Sequence, residues 1–215
     1  MIIEISALRK LLLSHSIDAH YVLDLHCDDV ALPHVFYGVH KQTTGKALAK
    51  AMGFSICLEE DVTGTVAFDG THTQPCFAAT LELRGNADVS PEPAEQDCLG
   101  ILDFLTHEKL IHRKTKPKQP VALNQLGVDQ VRMVKATMSG IVTYRAKLGT
   151  SLTANEAFAD LILLDSSTAK SIPILVPCDD YLFSATGHYF ITKGETIAML
   201  ATHEQQIKAG TQLAF

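Results

Sequence analysis

The chain carries no surplus of positive charge: 18 Lys and Arg stand against 24 Asp and Glu, a net charge of −6 and a sequence pI near 5.9. Phosphate-rich partners are held by basic faces, so nucleic acid is not an expected partner. No apolar run approaches the roughly 18 residues that cross a bilayer, and no membrane partner is expected. There is no C-x-x-C pair either. Cys27, Cys57, Cys76, Cys98 and Cys178 are scattered, and their odd number argues against a disulfide framework and for free thiols in the cytoplasm. The opening Met1-Ile-Ile-Glu-Ile-Ser-Ala-Leu-Arg-Lys lacks a basic leader and a small-residue cleavage site. It reads as an amphipathic helix rather than a secretory signal.

What is present suits a globular protein, with 47% apolar and 20% charged residues over 215 positions. That is enough for one large core or two modest ones. After the first helix, 21–26 reads as a short apolar strand. Residues 41–52 read as a helix that stops at Gly53. Strands over 55–58 and 76–84, a Gly-, Thr- and Pro-punctuated loop over 61–75 and a helix over 94–106 complete a strand–helix rhythm. Such alternation predicts an α/β layer with a mostly parallel sheet.

From Ile111 to Pro120 the chain becomes polar, basic and proline-rich, as exposed linkers are. The expected division is therefore an α/β domain over 1–112, a linker over 113–120 and an all-β domain over 121–215. Short β runs at 131–136, 140–146, 157–164, 172–176, 181–185 and 196–201, separated by glycine turns, support the last of these. Asn155 lies where a tight turn could demand positive φ, a conformation asparagine tolerates.

Two strand-like segments each deliver a reactive group where an apolar run ends: His26 in Tyr21-Val-Leu-Asp-Leu-His-Cys-Asp-Asp29, and Glu82 in Cys76-Phe-Ala-Ala-Thr-Leu-Glu-Leu-Arg-Gly85. Alternation along an extended strand sends Phe77, Ala79, Leu81 and Leu83 one way and Thr80, Glu82 and Arg84 the other. Glu82 is thereby expected on a polar face near the strand's carboxyl end, where open α/β sheets carry their clefts. An imidazole and a carboxylate are the group types a water-activating zinc ion uses, as ligand and proton acceptor respectively. Taken singly, a histidine after a strand or a glutamate near an arginine is more often packing or an ion pair.

The segments Leu23-Asp-Leu-His-Cys-Asp-Asp29 with Ala31-Leu-Pro-His-Val-Phe-Tyr37, and Ala79-Thr-Leu-Glu-Leu-Arg-Gly-Asn-Ala-Asp-Val89, together resemble the succinylglutamate desuccinylase/aspartoacylase family of zinc carboxypeptidase-like hydrolases. Residues 134–144 look like that family's C-terminal β barrel. The resemblance implies a zinc-dependent deacylase acting on an N-acyl amino acid or similar small amide. It makes His26 the last of three zinc ligands and Glu82 the general base.

The family's other two ligands lie in an upstream H-x-x-E segment, and no H-x-x-E occurs in this chain. The expectation is a fragment, a truncated product or a non-catalytic descendant, incomplete for catalysis and a poor zinc holder alone. A metal-free binding or assembly protein on the same scaffold is the alternative.

Smaller expectations concern neighbours of the pair. Asp24, two positions before His26, shares its strand face and is expected to orient the imidazole or to make a structural hydrogen bond. Arg84 is the candidate for a substrate carboxylate, with an ordinary salt bridge as the commoner role. His34 reads as a packed or turn-capping histidine. His188 and Tyr189 read as turn residues without an evident partner. The β domain is also similar to biotinyl and lipoyl carrier domains but shows no modifiable-lysine hairpin, so its expected task is to cover the α/β domain's rim or to mediate association between copies.

Overall fold

The computed structural model describes residues 2–16, 18–27, 30–59, 76–84, 90–114, 122–164 and 170–202. In chain order its first elements are α1 (Ile2–Ser16), β1 (Tyr21–His26), β2 (Val30–Ala31), β3 (His34–Tyr37), α2 (Gln42–Met52), β4 (Ile56–Glu59), β5 (Phe77–Glu82), α3 (Pro91–His107) and β6 (Asn124–Gly127). There follow β7 (Val131–Lys135), β8 (Gly140–Tyr144), β9 (Ser151–Leu152), β10 (Ala157–Leu163), β11 (Lys170–Leu175), β12 (Asp180–Ala185), β13 (Phe190–Ile191) and β14 (Thr196–Thr202). Contacts divide the chain into two compact units, one of Met1–Cys27, Pro33–Leu83 and Asp88–Gln125, the other of Asp28–Leu32, Arg84–Ala87 and Leu126–Phe215. The loop expected over 61–75 and most of the linker expected over 113–120 lie outside the described residues.

The first unit is a mixed sheet in the order β1-β5-β3-β4-β6. β1 pairs parallel with β5, and β3 parallel with β4 through α2, a βαβ unit of the expected kind. β3 runs antiparallel to β5, so the sheet is less uniformly parallel than the alternation suggested. The reason is the short stretch from β1 to β3, residues 27–33. It can turn the chain back but is too short for the dozen or so residues of a parallel crossover.

One face of this sheet packs against the helices. Its residues Val35, Tyr37, Cys57, Phe77, Ala79 and Leu81 form one core with Leu48, Ala49 and Met52 of α2 and Phe104 of α3. Phe77, Phe104 and Tyr21 meet as a triad of rings with centroids 5.9–6.1 Å apart. α2 stops at Gly53 as expected: its φ is 78°, and it and Phe54 donate backbone hydrogen bonds to Lys50 and Ala49, a left-handed cap that L side chains resist. α3 begins at Pro91, ahead of the expected 94. Proline ends helices from within but is welcome in their first turn, where no partner awaits its missing N–H.

The second unit contains two antiparallel sheets, β11-β10-β8-β13 and β2-β12-β14-β7, with β9 beside β12. Its core gathers Val142, Leu152, Phe158, Leu182, Ile191, Ile197 and Leu200. The unit is an internal repeat that the pattern of short runs concealed. Leu152-Thr-Ala-Asn-Glu156 recurs as Ile191-Thr-Lys-Gly-Glu195, an offset of 195 − 156 = 39 residues.

The two turns are built alike. Glu156 accepts from the Thr153 N–H and Glu195 from the Thr192 N–H. Asn155 and Gly194 both have positive φ, 67° and 93°. Asn155 and Glu156 exchange backbone bonds with Val176, as Gly194 and Glu195 do with Ala136. The same offset carries β7, β9 and β10 onto β11, β13 and β14, and it exchanges the pairing of β14 with β7 for that of β10 with β11.

Candidate active site

β1 and β5 run side by side in parallel register from Tyr21↔Phe77 to His26↔Glu82. The ladder closes with the Leu83 N–H donating to the His26 carbonyl at 3.0 Å. Both reactive residues therefore occupy the last rung, at the carboxyl ends of adjacent parallel strands. In open α/β sheets that edge is where ligands bind. Cross-strand partners share a face, so the two side chains are neighbours by construction. His26 Nδ1 lies 3.6 Å from Glu82 Oε1, just beyond a direct hydrogen bond.

On its other side His26 Nε2 lies 3.0 Å from Asp24 Oδ1. With the proton on Nε2, that contact is a hydrogen bond and the lone pair falls on Nδ1, the nitrogen beside Glu82. A carboxylate that fixes the tautomer and aims the free nitrogen is how metal-binding imidazoles are commonly held. The expected two-residue step from Asp24 to His26 thus produces a contact.

Burial differs sharply along the row. The His26 side chain is 42% exposed and that of Glu82 only 8%. The polar face expected for Glu82 is in fact a second buried face, with Ala78, Thr80 and Glu82 all enclosed. β5 is an interior strand between β1 and β3, and an interior strand of an α/β sheet is covered on both sides. The Thr80 hydroxyl, one rung behind Glu82 and paired in register with Asp24, is buried without a hydrogen-bond partner among the described residues. An unpaired hydroxyl is costly in a sealed core, and a neighbouring binding site is one physical reason for it.

His34 was expected to pack, and it does, edge-on against Phe36 with centroids 5.1 Å apart. Its position in the ladder was not foreseen: in the antiparallel pair β3–β5 it is the register partner of Glu82. Arg84, two residues beyond Glu82, is half-buried and is grouped with the second unit. Asp28, Asp29 and Gly85 lie outside the described residues. In the second unit His188 does have partners, with Nδ1 3.0 Å from the Thr186 hydroxyl and Nε2 4.0 Å from Glu195. Tyr189 is exposed.

A second polar cluster closes the carboxyl ends of β3 and β4. The Tyr37 hydroxyl reaches Glu59 Oε1 at 3.2 Å and Cys57 Sγ at 3.4 Å, while Gln42 and Gln125 donate to the Glu59 carboxylate. Burial above all, then Cys57 and Glu59, pushes the Tyr37 hydroxyl above its usual range. Its oxygen stays protonated, and the cluster is a fully hydrogen-bonded clamp on the sheet.

As a zinc centre the described residues do not suffice by themselves. A catalytic zinc takes three protein ligands, and no group of three or more His, Cys, Asp or Glu converges to hold a metal among the described residues.

No family model and no curated protein matches the chain. Solved structures do. A succinylglutamate desuccinylase/aspartoacylase family protein from Shewanella amazonensis SB2B superimposes with a TM-score of 0.75 at 19% identity, over 93% of this chain and 65% of that one. A succinylglutamate desuccinylase/aspartoacylase from Rhodobacter sphaeroides gives 0.73 at 18%, over 90% and 62%. The product-bound ectoine utilization protein EutE (DoeB) from Ruegeria pomeroyi gives 0.71 at 16%, over 90% and 60%. The chain thus spans less than two thirds of the length of each. At these identities the likeness is one of architecture: the chain has the fold of succinylglutamate desuccinylase/aspartoacylase family proteins, the family its two motifs resemble.

Proposed function

We propose that this chain carries the proton-transfer part of a deacylase that hydrolyses the amide bond of an N-acyl amino acid or a similar small amide. The observation that supports this reading is the final rung of the β1–β5 ladder, where His26 and Glu82 stand 3.6 Å apart at the carboxyl edge of the sheet.

Amide hydrolysis needs a base that removes a proton from the attacking water and an acid that delivers one to the leaving nitrogen. One carboxylate can do both in turn. Glu82 is suited to it: an enclosed carboxylate with one oxygen directed at the more open His26. Asp24 holds the imidazole and keeps its free nitrogen aimed across the rung. Zinc is the proposed cofactor, with His26 as one of its ligands; when bound it would polarise the scissile carbonyl and acidify water. Arg84 is the proposed partner of a substrate carboxylate, on the sequence resemblance alone. The five free cysteines support a reducing, cytoplasmic setting.

Purified chain, assayed with and without added zinc for release of free amine from N-succinylglutamate and N-acylaspartates, tests the reading. Turnover that Glu82→Gln abolishes supports it. Turnover equal in the wild type and Glu82→Gln excludes Glu82 as the proton carrier.

A further inference from the structure

β5 reads Phe77-Ala-Ala-Thr-Leu-Glu82, and only Thr80 and Glu82 interrupt its apolar run. Thr80 is 5% exposed, and its hydroxyl has no hydrogen-bond partner among the described residues. Strand propensity does not account for it. Valine has the same branched shape, suits a strand as well and carries no polar atom, whereas a hydroxyl sealed from water without a partner destabilises the fold.

Register fixes what stands beside this hydroxyl. Its partner on β3 is Phe36, a hydrocarbon ring, and its partner on β1 is Asp24. Partners on adjacent strands point to the same face, with Cβ atoms about 5 Å apart. Asp24 turns one carboxylate oxygen to His26, Oδ1 lying 3.0 Å from Nε2, and its side chain is 27% exposed, so solvent reaches this rung from the β1 side. The hydroxyl and the carboxylate thus share a rung and make no direct hydrogen bond. Two polar groups so placed, with water at hand on one side, are joined by a single bridging water.

We propose that Thr80 is a positioning residue for Asp24: its hydroxyl donates to a bound water, and that water donates to the Asp24 carboxylate, fixing the plane in which Oδ1 accepts from the His26 Nε2–H. The series Thr80, water, Asp24 and His26 then holds the imidazole with its free Nδ1 turned to Glu82, 3.6 Å away. The effect on turnover rests on the reading of His26 and Glu82 as the reacting pair; the bridge itself does not. Thr80 touches neither substrate nor the reacting atoms, and it acts through Asp24 alone.

Thr80→Val and Thr80→Ser in the full chain test this. Val keeps the shape and removes the hydroxyl, and Ser keeps the hydroxyl. Chemical denaturation is the first readout. A bridged hydroxyl makes Thr80→Val less stable than the wild type, because its removal leaves the water and the carboxylate without a partner, whereas a hydroxyl with nothing bound to it makes Thr80→Val the more stable protein. A more stable Thr80→Val overturns the proposal.

Long-range ¹H–¹⁵N correlation spectra at one fixed pH are the second readout, with the His26 signals identified by their loss in His26→Gln. Wild type and Thr80→Ser are expected to show Nε2 protonated and Nδ1 bare, and in Thr80→Val the same signals shift towards a mixture of the two tautomers. An unmoved His26 spectrum in Thr80→Val overturns the positioning role, whether or not the chain turns over any amide. In the deacylase assay the expected result is a kcat loss of about 10-fold in Thr80→Val with KM little changed, restored in Thr80→Ser. Equal kcat in the wild type and both variants overturns the positioning role as well. Absence of turnover in the wild type would remove the functional reading and leave denaturation and the spectra to decide the bridge.

Discussion

His26 and Glu82 are register partners at the terminal rung of a parallel strand pair, and their side chains meet 3.6 Å apart although β2, β3, α2 and β4 lie between them among the described residues. The parallel ladder creates the relationship: any slip of one residue would turn one of the two groups to the helix-covered face.

Glu82→Gln preserves size and shape while removing the proton-accepting oxygen. The expected outcome is unchanged thermal stability and metal content with a kcat lower by about 10²–10⁴-fold, the range for loss of a general acid–base group. Steady-state kinetics beside elemental analysis of the same preparations check it.

Asp24→Asn replaces the carboxylate 3.0 Å from His26 Nε2 by an amide. Loss of a carboxylate that orients a ligating histidine weakens metal affinity by about 10–100-fold. Competition with a chromogenic chelator measures this on the full chain. Identical zinc affinity in wild type and variant would leave Asp24 a structural hydrogen-bond partner.

The thiols divide by environment. Cys27 and Cys98 are exposed, whereas Cys57 and Cys76 are buried and burial pushes both thiols up. Reactivity follows thiolate and access. Ellman's reagent on the native chain at mildly alkaline pH is expected to titrate Cys27 and Cys98 quickly and the buried pair only after unfolding. Cys27 directly follows His26, so its modification is expected to suppress turnover, and substrate should slow that modification. Fast labelling of Cys57, read by peptide mass spectrometry, would contradict the burial.

Arg145 grips Asp160 in a two-pronged bond, Nε to Oδ2 at 2.6 Å and a terminal nitrogen to Oδ1 at 2.7 Å. That bond above all holds the Asp160 carboxyl below its usual range. A carboxyl whose folded pKa is lowered stabilises the fold above its unfolded pKa, near 3.9, and the contribution is lost as pH falls through the folded value. Arg145→Met should therefore lower the melting temperature near pH 7, and the gap from wild type should close towards about pH 2. A gap that stayed constant over that span would refute the linkage.

Asn155 holds φ = 67° in the first of the two repeated turns. Asn155→Ala is expected to cost about 1–2 kcal/mol, because a Cβ-bearing residue without a side-chain amide resists the left-handed region. Asn155→Gly, the residue the second repeat uses at Gly194, should be close to neutral. Chemical denaturation of the two variants separates them, and an Ala variant as stable as the Gly variant would show that the turn relaxes.

Much of this architecture was legible from local chemistry. The bounds of β1 match the apolar run 21–26, Gly53 stops α2, and Asn155 takes the turn conformation its side chain tolerates. Alternation correctly sent Phe77, Ala79 and Leu81 to the helix-covered face. Each of these depends on neighbours within a few residues. β3 escaped notice because four buried residues after Pro33 carry neither alternation nor length, and β9 and β13 are two residues each. The 39-residue repeat escaped because its halves share turn chemistry and spacing more than they share residues.

Local sequence thus put His26 and Glu82 at the ends of their strands, since side-chain type, two-residue periodicity and glycine stops act over short range. Which strands lie adjacent, and in what register, was a matter of long-range pairing. Pairing brought Asp24, His26 and Glu82 together, enclosed Glu82 on a face that alternation alone marked as polar, and seated His34 beside it. Backbone hydrogen bonding is the same for every residue, so no short segment names its partner; burial of both faces of β5 against the rest of the molecule makes that choice.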